Sequence, residues 1–287
     1  MKLTNIGTVK ELMGRHGITF QKKFGQNFLI NEALPQRIAN ECGAGKCDGV
    51  LEIGPGIGTM TAELCKVAGK VVAVEIDTSL IPVLDETLAE FDNVKVINSD
   101  IMKTDVVSLM KEEFDGKDVY VCANLPYYIT TPILMLLLEG EYKFKKMTFM
   151  VQKEVADRLC AKAGDSDYGA VTASVNYYGH IEKLFNVGAG NFMPAPKVDS
   201  AIIQITPYTE PQVKVKDEKL FFRIIKAAFE QRRKTLTNAL SGKVGVDKAG
   251  IQNALTECGF DINIRGERLS IEDFARLSDA FYEITKQ

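Results

Sequence analysis

The sequence predicts an α/β protein: a mostly parallel sheet covered by helices on both faces, followed by a small helical domain. Three observations carry this. From residue 50 onward, short β-branched runs alternate with helix-length stretches, the pattern of strand–helix–strand units. The run KVVAVEI over 70–76 is nearly continuous in apolar residues, as a strand covered on both faces requires. After residue 207 the alternation stops and apolar residues recur every three or four positions, which is the spacing of one helix face.

The elements follow in order. Val50-Leu51-Glu52-Ile53 is a short apolar strand that runs into a glycine cluster. Further strands are expected over 70–76, 93–98, 119–123 and 146–151, with helices over 59–66, 78–89, 130–139 and 153–161. Apolar runs at 183–187 and 201–205 supply the last strands. Pro207-Tyr208-Thr209-Glu210-Pro211 reads as a linker. Beyond it Phe221, Phe222, Ile225, Phe229, Leu236 and Leu240 share a helical face, and further helices are expected over 248–257 and 271–284. Ser270 and Asp273 fit a capping box with Asp in place of Glu. The domains are therefore placed at 1–206 and 207–287.

Composition excludes several classes. With 46% hydrophobic and 25% charged residues, the 287-residue chain is too apolar for disorder. Its longest apolar run, Ile133 to Leu138, falls far short of a bilayer span. Met1-Lys2-Leu3-Thr4-Asn5 has no apolar stretch after its charge, so no secretory signal is expected. Six scattered cysteines without a Cys-x-x-Cys pair, beside two histidines, predict reduced thiols and no metal site. Charge is uneven. The total is −3, yet residues 1–30 carry +4 and residues 219–243 carry +6, leaving −13 for the rest. Two basic segments on an acidic body suit a polyanion.

Gly54, Gly56 and Gly58 stand between the first sheet strand and its helix. Such a turn brings backbone close to a ligand and points helix N–H groups at it. Thr59 occupies the position where the dinucleotide fingerprint needs glycine, and no Gly-Lys-[Ser/Thr] follows. Glu75 closes the next strand, where a carboxylate accepts hydrogen bonds from ribose hydroxyls, with Asp77 as its rival. Asp100 ends the third strand and suits the exocyclic amine of an adenine. Asn124-Leu125-Pro126-Tyr127-Tyr128 ends the fourth. There Pro126 stiffens a turn that offers two acceptors, the Asn124 side chain and the Leu125 carbonyl, beside an aromatic ring. These positions lie at the carboxyl ends of successive strands, where open α/β sheets bind ligands. They read as a nucleoside site without phosphate-binding machinery.

Six segments carry a resemblance: KKFGQNFL at 22–29, LEIGPGIGTMT at 51–61, VEID at 74–77, NLPYYIT at 124–130, NFMPAPKVDSA at 191–201 and AFEQRRKTLTNAL at 228–240. In content and order they resemble the ribosomal RNA adenine N6,N6-dimethyltransferases, and within them the bacterial small-subunit branch. The resemblance implies a Rossmann-like methyltransferase fold with a seven-stranded sheet, a helical RNA-binding domain, and S-adenosylmethionine as cofactor. It implies that Gln26, Asn27 and Leu29 close the methionine end of the pocket, that Gly54 and Gly56 approach the cofactor, that Glu75 holds its ribose and Asp100 its adenine amine. Asn124 would lie between cofactor and target, with Leu125 its partner acceptor and Tyr127 and Phe192 stacking on the flipped base. Lys22, Lys23, Arg232, Arg233 and Lys234 would contact RNA phosphates. The implied target is two adjacent adenosines in a hairpin loop near the 3′ end of 16S rRNA, in an assembling small subunit. The implied enzyme is cytoplasmic, monomeric and metal-free. A large-subunit (23S) methyltransferase of the macrolide-resistance type and a non-catalytic RNA-binding factor are the alternatives. A nicotinamide oxidoreductase is more distant, because of Thr59.

Overall fold

The computed structural model describes residues 1–18 and 26–286. A two-residue strand β1 (Phe28–Leu29) precedes β2 (Gly49–Ile53), β3 (Lys70–Glu75), β4 (Val94–Asn98), β5 (Val119–Asn124), β6 (Lys146–Gln152) and β7 (Gly179–Val187). A second two-residue strand, β8 (Phe192–Met193), pairs antiparallel with β1, and β9 (Ser200–Pro207) follows. The other seven strands form one sheet in the order β4-β3-β2-β5-β6-β9-β7. Its first five are parallel and β9 runs antiparallel to β6. The central strands explain the unbroken apolar runs, since every residue of β2 is buried and so are five of six in β3. Helices Ala33–Cys42 and Thr59–Val67 cover one face, packing Ile38, Met60 and Leu64 against Val50, Val71 and Cys122.

The expected helix over 78–89 divides. Asp77 caps a 3₁₀ turn, Thr78–Leu80, by accepting from the Ser79 N–H, and the α-helix runs over Ile81–Thr87. Helices Ile6–Arg15, Ala33–Cys42, Val106–Phe114 and Ala170–Tyr178 add to those expected. Pro35 disguises the second of these, although its place in the first turn costs no hydrogen bond.

The chain forms two compact units, Met1–Ala156 with Glu182–Pro207, and Asp157–Ile181 with Tyr208–Gln287. The later boundary between the units falls at Pro207 and Tyr208. The segment 157–181, which the sequence pattern placed in the first domain, groups with the second unit. Its Tyr168, Ala173 and Tyr177 are buried in one core with Phe221, Ile224, Leu255 and Phe274, and the Tyr177 and Phe221 rings lie 5.2 Å apart. Helix Glu218–Glu230 supplies Leu220, Phe221, Ile224, Ile225 and Ala228 to that core from one face. The Ser270–Asp273 box is formed as expected: the Asp273 N–H donates to Ser270 Oγ (3.2 Å) and the Ser270 N–H to Asp273 Oδ2 (3.0 Å). Among the described residues no helix is long and apolar enough to cross a membrane, and no group of His, Cys, Asp and Glu side chains is placed to hold a metal. All six cysteines are free.

Candidate active site

Strand register builds the site. Ile53 pairs with Val74 of β3 and Ala123 of β5. The next residue on each strand, Gly54, Glu75 and Asn124, therefore reaches the same sheet edge. There they line one cleft together with Gln26, Asn27, Leu29, Gly56, Leu125 and Tyr127.

The glycine turn needs its glycines. Gly54, Gly56 and Gly58 all have positive φ (70°, 62° and 86°). A Cβ on Gly58 would also meet Thr87 Oγ1 at 2.9 Å. The turn is tied to Glu75, whose Oε2 accepts from the Gly56 N–H (3.2 Å) and whose Oε1 accepts from the Asp77 N–H (2.8 Å). Burial pushes the Glu75 carboxyl above the usual carboxylate range, these two donors oppose the rise, and the Asp77 charge adds to it. Both acids accept hydrogen bonds inside the protein, but Glu75 and not Asp77 is among the residues that line the cleft. Asp77 Oδ1 accepts from the Ser79 N–H and hydroxyl, and its Oδ2 from Gln26 Nε2 at 2.7 Å. Asp77 thus braces the loop, while Glu75 lines the cleft.

One lining residue, Glu52, was not expected from the sequence. It interrupts an otherwise apolar strand, and that interruption was the available signal. Its side chain is fully buried and lines the cleft. Neither carboxyl oxygen has a hydrogen-bond partner among the described residues. Burial raises its pKa to about 8, and Glu75 adds to the rise; the Thr61 hydroxyl is near enough to temper it without meeting the geometry of a hydrogen bond. Tyr128 and Ile76 also line the cleft while 65% and 48% exposed, so they offer apolar surface at its mouth.

At the far end, Asn124 Nδ2 donates to the Asn27 carbonyl at 3.4 Å. Among the described residues, neither Asn124 Oδ1 nor the Leu125 carbonyl is consumed by a hydrogen bond inside the protein. The Leu125 N–H is held by the Met150 carbonyl (3.1 Å), and the Tyr127 hydroxyl by Ser200 Oγ (3.0 Å). Two acceptors and a ring are therefore fixed on one short turn.

Other expected residues lie elsewhere. Asp100 ends up beyond β4, outside the cleft lining, where its Oδ1 caps a 3₁₀ turn through the Met102 N–H (3.0 Å). Phe192, expected on the second face of a base, is 3% exposed and is not among the lining residues. It pairs with Leu29 across the β1–β8 ladder and packs in the core with Met60 and Val187. Its ring is committed to packing because Phe192 lies on a short strand that pairs with β1. Arg232 donates to the carbonyls of Ser166 and Tyr168, whereas Arg233 and Lys234 are exposed on the same turn. Lys22 and Lys23 lie outside the described residues.

A mostly parallel seven-stranded sheet, a glycine turn after its central strand and an acid closing the next strand define a methyltransferase of the Rossmann-like class. Among the described residues the cleft is lined by acids, amides, glycines and aromatic rings, without Lys, Arg or His. A pyrophosphate would find no counter-charge there, whereas a cationic sulfonium donor fits. The sequence profile of the ribosomal RNA adenine dimethylase family matches residues 17–283, and the chain belongs to that family. S-adenosylmethionine is its methyl donor. The chain is 49% identical over 279 residues to ribosomal RNA small subunit methyltransferase A of Lachnoclostridium phytofermentans, covering 96% of each. It is 48% identical over 275 residues to the protein of that name from Bacillus cytotoxicus, covering 94% of each. Among solved structures it resembles a dimethyladenosine transferase from Plasmodium falciparum (TM-score 0.74, 27% identity, 87% of this chain and 95% of that one). It also resembles the 23S rRNA methyltransferase ErmE (TM-score 0.68, 25% identity, 89% and 100%).

Proposed function

We propose that this enzyme methylates N6 of two adjacent adenosines in a hairpin loop near the 3′ end of 16S rRNA. It acts as a cytoplasmic monomer on an assembling small subunit and gives N6,N6-dimethyladenosines. The observation that carries the reading is the pair of uncommitted acceptors at 124–125, at one end of a cleft suited to a cationic donor. The relatives at 48–49% identity bear the small-subunit name, which favours 16S over 23S rRNA.

The roles follow from the chemistry of the target. An adenine amine is a poor nucleophile because its lone pair is delocalised into the ring. Asn124 Oδ1 and the Leu125 carbonyl accept hydrogen bonds from its N–H groups, which favours a pyramidal nitrogen and aims its lone pair. This is positioning and electrostatic preorganisation, and the surplus proton leaves after attack. Tyr127 stacks on the extruded base, recovering part of an unstacking cost of a few kcal/mol. When bound, S-adenosylmethionine supplies the activated methyl. Gln26, Asn27 and Leu29 close over its methionine end, Gly54 and Gly56 lie against it, Glu75 holds the ribose, and Asp100, one strand further, takes the adenine amine. Lys22, Lys23, Arg233 and Lys234 contact phosphates.

The reading is tested by incubating the enzyme with labelled S-adenosylmethionine and purified, unmodified small or large ribosomal subunits. Label in the small subunit alone, recovered as dimethyladenosine, is expected; label in the large subunit alone overturns the assignment. A second expectation concerns the basic turn. Charge reversal at Arg233 and Lys234 weakens RNA binding and lowers the salt slope of affinity by about 1 for each phosphate no longer neutralised. Arg232→Ala lowers the melting temperature, since that guanidinium bonds backbone inside the helical unit. A filter-binding titration at several salt concentrations and a thermal melt separate the two effects.

A further inference from the structure

Glu52 stands out among the buried groups that the reaction scheme leaves unused. It is the fourth of the five residues of β2, flanked by Ala73 on β3 and Cys122 on β5. Both its oxygens are buried without a partner among the described residues, yet the side chain lines the cleft. Leaving a buried polar group unsatisfied is costly, and an ionised one more so. Among the described residues, the groups that face it bring no positive charge. They are Glu75 from β3, Cys122 from β5, and Thr61 and Cys65 from helix Thr59–Val67. Both thiols are themselves held above their usual range, mainly by burial for Cys65 and by Cys42 together with burial for Cys122.

We propose that Glu52 is the counter-charge for the positive charges of the bound methyl donor, and that donor binding releases a proton from its carboxyl. The inference rests on S-adenosylmethionine occupying this cleft. Without the donor, a carboxyl raised to about 8 is mostly protonated at neutral pH. A cation seated beside it in low dielectric favours the anion, so the proton leaves. Glu75 is the weaker source of that proton, because two backbone N–H groups already stabilise its anion (2.8 and 3.2 Å) and Glu52 has none. The same arrangement has a consequence for the free protein. In the unfolded chain the carboxyl ionises near 4.5, in the folded chain near 8. The unfolded state therefore binds fewer protons in that window, and Glu52 makes stability fall as pH rises through it.

The test is calorimetric titration of S-adenosylmethionine into the full-length enzyme at pH 7, in two buffers of different ionisation enthalpy. Release of nearly one proton per donor bound is expected for the native protein, with affinity rising more than tenfold between pH 6 and 7.5. Glu52→Gln, neutral and of the same shape, binds more weakly, releases no proton and loses that pH dependence. Its melting temperature without donor declines less steeply from pH 5 to 8 than that of the native protein, the raised Glu75 carboxyl being present in both, which also reports that the variant folds. Equal binding enthalpies in the two buffers for the native protein overturn the proposal without involving any variant. So does unchanged proton release in Glu52→Gln. Failure of the donor to bind at all would instead remove the assignment of the cleft.

Discussion

Asn124→Ala is expected to lower kcat by roughly 10²–10³-fold, the usual loss for removing one preorganised polar contact to reacting atoms. Donor affinity should change little, because the Asn124 amide donates to the Asn27 carbonyl at 3.4 Å and its Oδ1 is the atom left for the target amine. Alanine keeps the turn, since the Leu125 N–H remains bonded to Met150 and Thr130 Oγ1 to the Pro126 carbonyl (3.2 Å). Only one of the two acceptors is removed. Single-turnover methylation of small subunits measures the effect, alongside calorimetry of the donor. A raised KM with unchanged kcat would mean that the side chain binds the ground state and transition state equally, and would remove the orienting role.

Glu75→Ala has the second large effect, at the binding step. Hydrogen bonds to a charged group are worth about 1.5–3 kcal/mol each, so losing a bidentate ribose contact should raise the donor Kd by roughly 10²-fold or more. The variant also releases the Gly56 and Asp77 N–H groups that the carboxylate now holds, which loosens the glycine turn. Asp77 is no substitute, because it does not line the cleft and is held by Ser79 and Gln26. Calorimetry of S-adenosylmethionine measures the loss, and an unchanged Kd would place the ribose elsewhere.

Much of the site was legible because its signals are local. Three glycines between a strand and a helix, an acid closing the following strand and a stiffened Asn-Leu-Pro-Tyr turn each occupy a few consecutive residues. Strand periodicity then aligns them at one edge, as the pairing of Ile53 with Val74 and Ala123 bears out. The Ser270–Asp273 cap was readable for the same reason. The residues that moved from their expected places share the opposite property. Phe192 sits in the core because β8 pairs with a strand more than 160 residues earlier. Arg232 is tied to carbonyls at 166 and 168, and no pattern within its own helix-flanking turn announces them. The segment 157–181 carries an ordinary amphipathic helix, which matches either unit until its aromatic residues meet Phe221 and Phe222.

The order of residues along the chain by itself determined the α/β class, the glycine turn, the acid at 75 and the acceptor pair at 124–125, because backbone conformation and strand ends are set by neighbours a few positions away. Only the tertiary structure decided that Glu52 is sealed in without a partner among the described residues, that Glu75 rather than Asp77 lines the cleft, and that Asp100 and Phe192 stand outside its lining. Burial and hydrogen-bond occupancy depend on which distant segments arrive beside a residue, and that is a property of the assembled sheet and its helices.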